Sequence, residues 1–156
     1  MSAAAMAAVL DALNEELSAL RHVDETLTAE HKALLDVTPG DLEQAILDKN
    51  TALTALAQRR VAREALTGTG SLVEFLNRQT PTAEGLQQAR ELVDALRSLG
   101  TECQQKNQRN GRLIGGLKDS TEGALGVLRA GEASVTLYGQ DGDRSSDLGS
   151  RILGTA

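Results

Sequence analysis

The stretch MAAVLDALNEELSALRHVDETLTAEHKALLDVTPGDL, residues 6–42, decides the fold. Met6, Leu10, Leu13, Leu17, Leu20, Asp24, Leu27, His31 and Leu34 alternate spacings of four and three. That seven-residue repeat holds one stripe of a helix against a partner helix. Asp24 and His31 interrupt it in the same heptad position, and Val23 and Leu35 widen it. The repeat predicts a helix over 3–36, roughly 50 Å long at helical rise. The break is Val37-Thr38-Pro39-Gly40. Thr38 stands where an N-cap would, and Pro39 suits a first helical position because no amide donor is needed there. So short a connection makes the next helix an antiparallel neighbour.

The rest of the chain agrees with a helical bundle. Of 156 residues 40% are apolar, almost all Leu and Ala, with Phe75 and Tyr138 the only aromatics. That composition packs helices and is poor material for a sheet. A second helix over 39–67 runs on Leu42, Ile46, Lys49, Leu53, Leu56, Arg60 and Arg63, a seam that turns basic. Long Arg stems there can cover apolar surface while their charges reach water. Thr67-Gly68-Thr69-Gly70-Ser71 stops it and lacks the Lys-Ser/Thr of a phosphate loop. Ser71-Leu72-Val73-Glu74 is a capping-box pattern opening a short lid helix over 72–78. A third long helix over 83–130 repeats strictly from Leu86 to Leu128, becoming small and polar at Gly100, Cys103, Asn107 and Asn110.

At helical rise the third helix would be roughly 70 Å long and the second about 43 Å. Part of the third therefore lacks a full set of intrachain partners. Residues 1–130 read as the bundle and 131–156, rich in Gly, Ser and Asp, as a flexible tail.

The candidate chemistry is sparse. A net charge of −6 argues against nucleic acid, which needs a positive surface. No apolar run suits stable membrane insertion, and a single cysteine fits a soluble cytoplasmic protein. Neither His22 nor His31 has the Glu-x-x-His spacing of a bundle metal site, so no metal or other cofactor is expected. Cys103 reads as a buried structural thiol rather than a nucleophile, and Asp24 with His31 as a polar layer rather than acid–base machinery. No enzyme is indicated. Asn107 and Asn110 are amides on an apolar seam. They either lock register opposite Asp24 or His31, or mark the step where scaffold gives way to a partner-binding portion. Five glycines follow (111, 115, 116, 123 and 126), each costing a helix interior about 1 kcal/mol relative to Ala. Beside them Leu113, Ile114, Leu117, Leu125 and Leu128 make a groove-like surface suited to another helix.

Three segments carry a resemblance: Asn107-Gln108-Arg109-Asn110-Gly111-Arg112-Leu113-Ile114, then Leu125-Gly126-Val127-Leu128-Arg129, then Leu137-Tyr138-Gly139-Gln140-Asp141-Gly142. Together with the Leu-heptad first helix they resemble the FlgN family of flagellar export chaperones over almost the whole chain. The resemblance implies a cytosolic chaperone that binds the C-terminal assembly helices of the hook-associated proteins FlgK and FlgL. Such a chaperone stops premature association and delivers its cargo to the flagellar type III export gate. It implies a substrate surface at Ile114, Leu117, Leu125 and Leu128, and Tyr138 as the contact with the gate protein FlhA. A structural or regulatory coiled-coil adaptor shares the same heptads. The sequence leaves oligomeric state open, because an exposed stripe can meet a substrate or another copy.

Overall fold

The computed structural model describes residues 2–80 and 85–137, with side chains as far as residue 126. Four helices follow one another: α1 (Ala3–Asp36), α2 (Pro39–Thr67), α3 (Leu72–Asn77) and α4 (Leu86–Leu137). Among the described residues there is no strand. The chain divides into two compact units, Met1–Ile114 and Gly115–Ala156. The all-α architecture of three long helices and a short lid is therefore as the heptads predict.

In the first unit α1 is the central element. Ser2 caps it, accepting from the Ala5 amide at 3.2 Å. Thr38 occupies the N-cap of α2 but makes no side-chain capping bond, contrary to its expected role. Pro39 and the acidic Asp41 in the first turn carry that start instead. Ser71 caps α3 as its pattern predicts, accepting from the Glu74 amide.

The buried face of α1 is broader than one heptad stripe because two helices cover it. Met6, Val9, Leu13, Leu17, Leu20, Val23, Leu27 and Leu34 are buried, whereas Leu10, Asp24 and His31 are only half-buried. Met6, Val9 and Leu13 join Leu76 of α3 and Leu86, Ala89 and Val93 of α4 in one cluster, with Phe75 packed against it. A second cluster takes Leu20, Val23 and Leu27 with Ala52 of α2 and Cys103 of α4. α3 thus lids one end of the layer, while α1 and α4 run parallel from the first cluster to the second.

The seam of α2 departs from expectation. Its buried residues are Ala45, Ala52 and Arg63, while Leu53 stands 42% exposed. Two alanines one heptad apart let α2 approach α1 closely, and Leu47 and Leu53 beside them stay exposed. Arg63 does not reach water. It is buried against Glu16, which its Nε meets at 2.6 Å.

α4 opens at Leu86 and continues to Leu137, past the predicted end near residue 130. Gly131 alone is too weak a stop: it costs about 1 kcal/mol, and the following EASVTL contains neither Gly nor Pro. Residues 138–156, most of the predicted tail, lie outside the described residues, as do 81–84.

Candidate substrate-binding surface

The polar part of α4 sits where an apolar helix would need only leucines. Asn110 is fully buried, and its Nδ2 donates to the Leu27 carbonyl and to Glu30 Oε2, each at 2.9 Å. Its Oδ1 faces His31 Nδ1 at 3.1 Å, so the acceptor meets the ring N–H. Glu30 is itself fully buried, and its other oxygen accepts from Lys49 of α2 at 2.5 Å. One layer therefore ties all three helices together, and every buried polar atom in it is partnered. Among the described residues no buried side-chain N or O is left without a partner. Asn107 differs from Asn110: it is exposed.

One helical turn earlier Lys106 Nζ donates to Asp24 Oδ1 at 2.6 Å. Cys103 is buried beside the same carboxylate, with Sγ 3.7 Å from Asp24 Oδ1 and 3.9 Å from the Leu20 carbonyl. Burial pushes its thiol up to about 11, and the negative charge of Asp24 pushes the same way. A nucleophilic cysteine needs the opposite environment. Among the described residues no group of three or more His, Cys, Asp or Glu could hold a metal ion.

Glu16, Glu30, Lys49 and Arg63 were not singled out from the sequence as a set. Their signal is present in it: Glu16 and Glu30 stand two heptads apart on α1, as Lys49 and Arg63 do on α2. In an antiparallel hairpin that equal spacing lets both pairs form at once, and both do.

The expected substrate residues fall as follows. Ile114 closes the first unit, half-buried. In the second unit Leu117 is 39% and Leu125 46% exposed. A side chain added at Gly115, Gly116, Gly123 or Gly126 would meet nothing within 4 Å. Among the described residues no packing explains these glycines. The side chain of Leu128 and the whole of Tyr138 lie outside the described residues.

The model of the FlgN protein family matches residues 1–146. The chain belongs to the FlgN family. No curated protein and no solved structure gives a match. The FlgN family is the flagellar export chaperone for hook-associated proteins, acting in the cytoplasm, and it is non-enzymatic. That function asks for a rigid scaffold and an unfilled apolar surface. In this FlgN member the layer at Glu30 and Asn110 ties the three helices together, and Leu117 and Leu125 stand exposed in late α4. Among the described residues no helix is long and apolar enough to cross a membrane.

Proposed function

We propose that the cargo is FlgK and FlgL, that their C-terminal assembly helices lie along Ile114, Leu117, Leu125 and Leu128, and that Tyr138 docks the loaded chaperone on the export gate protein FlhA. The observation carrying this reading is the combination of exposed leucines and unobstructed glycines in one helical segment. Leu117, Leu125 and Leu128 recur at helical spacing, so they offer one apolar stripe. Glycines beside it let a second backbone come close, while their cost in helix propensity is recovered only when something packs there. Covering an amphipathic helix in this way needs no nucleotide: complementary apolar surface suffices. Release then depends on a competitor at the gate, and an aromatic in the Leu137-Tyr138-Gly139 segment is the kind of compact anchor such docking uses.

The test separates cargo from gate. Leu117→Asp should weaken binding of a FlgK C-terminal segment by about 1–3 kcal/mol and leave the melting of the first unit unchanged. Tyr138→Ala should leave cargo affinity nearly intact and weaken docking on the FlhA cytoplasmic domain by about 2 kcal/mol. If Tyr138→Ala loses cargo and gate binding to the same extent, the separate docking role is wrong. Recovery of the chain from flagellated cells in a fixed multisubunit assembly without hook-associated protein would favour a structural adaptor instead.

A further inference from the structure

α2 and α4 both lean on α1, yet among the described residues no hydrogen bond or ion pair joins α2 to α4. Their polar contacts go to α1 instead. Between them an open groove runs over α1. One part, about 300 Å³, has Leu20, Val23 and Leu27 as its floor and Leu53 and Gly100 in its walls. The adjoining part, about 620 Å³, shares Leu20 and Leu56, passes Leu96 and Arg97, and ends against Ser71 and Val73. From Lys49 to Glu64 the α2 wall measures roughly 22 Å at helical rise, about four turns.

Two features of the walls indicate what fits. Gly100 leaves a notch, because a side chain there would meet nothing within 4 Å. The charges are unbalanced in an otherwise acidic chain. Lys49, Arg60 and Arg63 are paired with Glu30, Glu64 and Glu16 respectively. Arg97 lines the groove with no acidic partner among the described residues. The smaller part is therefore mostly apolar and open at Gly100, while the larger sets Leu20, Leu56 and Leu96 among Glu16, Arg60, Arg63 and Glu64, and Arg97 adds one surplus positive charge. A second copy of the chain would bring a net −6 against −6, so self-pairing is opposed by charge.

We infer that this groove seats an amphipathic helix of the hook-associated cargo, with its apolar stripe between α2 and α4 and a carboxylate on Arg97. The occupant is about four turns long, with leucine-sized residues at helical spacing against Leu53, Leu56 and Leu96 and its backbone nearest Gly100. The inference rests on the cargo reading above and adds a contact surface within the first unit, separate from the leucines of late α4. A cargo that presents more than one assembly helix would then be held at both surfaces, and the tighter grip comes from linkage rather than from a larger single interface.

The test uses the full chain and a FlgK C-terminal segment as the probe, titrated against wild type, Gly100→Phe, Leu53→Glu, Arg97→Glu and Leu117→Asp. Gly100→Phe fills the notch, replaces a poor helix former with a better one, and should melt no lower than wild type. Its dissociation constant should rise at least about tenfold. Leu53→Glu, at a position already exposed, should do the same, which keeps the test decisive if the Phe variant misfolds. Arg97→Glu should weaken binding about fivefold at low salt, with the difference shrinking at high salt. Equal binding by folded Gly100→Phe and Leu53→Glu, with loss only for Leu117→Asp, overturns the groove and leaves the cargo reading standing. A wild-type chain that does not bind the segment overturns the cargo reading, and this inference with it. A wild-type dimer that Gly100→Phe dissociates, with cargo binding unchanged, assigns the groove to a second copy and overturns it as well.

Discussion

Asn110 is the residue on which the three-helix layer depends. Among the described residues it is the only group that meets Glu30 from the α4 side, while Lys49 meets it from α2. Asn110→Leu would leave one oxygen of a fully buried carboxylate unpartnered and should cost about 1–3 kcal/mol in denaturant unfolding. Asn107→Leu, at an exposed position, should change stability by no more than about 0.5 kcal/mol. Equal losses would mean that the layer is not what holds α4 in register. Cys103 supplies a second measurement. Its thiol is held protonated in the folded chain up to about 11, against an ordinary value of 9.0. The unfolded chain loses that proton first, so stability is fully present below pH 9 and should fall as pH rises from there towards 11. Cys103→Ala should flatten that part of the profile, and a variant with an unchanged slope would show that the thiol is not its source.

At the scale of elements, the ends of the helices and their glycines decide most. Gly85 has φ +78°, a backbone that favours glycine, and a side chain there would come within 2.8 Å of Leu10 Cδ1 and force that side chain to shift. The glycines of late α4 are of the opposite kind. They have ordinary helical backbone and open space around them. Gly115→Ala with Gly116→Ala should therefore raise helicity, by about 1 kcal/mol each, and yet weaken cargo binding by blocking close approach. Circular dichroism and a cargo titration on the same sample check this. If binding rises with helicity, the glycines serve flexibility and not approach. The contrast explains what was legible in the sequence. Heptads, Pro39 and the Ser71 cap mark α1 to α3 almost to the residue, because each is a local rule. The buried Arg63 and the exposed Leu53 were not legible, because which face of α2 turns inward depends on two alanines fitting against α1. Asn110 and Asn107 look alike in the sequence. Only the placement of α4 against Leu27, Glu30 and His31 separates them.

At the scale of the whole molecule, two classes of helix meet two needs. The first unit holds its helices by leucine clusters and by buried pairs whose partners are all present, so it persists without cargo. The second unit has a helical segment whose side chains from 115 to 126 are all exposed, with no buried surface of its own to stabilise it. A helix of that kind opens readily and gains protection when a partner packs on it. Amide hydrogen exchange of the full chain, with and without a FlgK C-terminal segment, reads this directly. Free, amides in residues 115–126 should exchange far faster than those of α1 between Leu13 and Leu27. With the segment bound, residues 115–126 should become protected, while the slow amides of α1 stay slow. Saturating cargo that leaves residues 115–126 as unprotected as before would contradict the account, because the exposed leucines and open glycines of α4 would then have no part in holding the cargo.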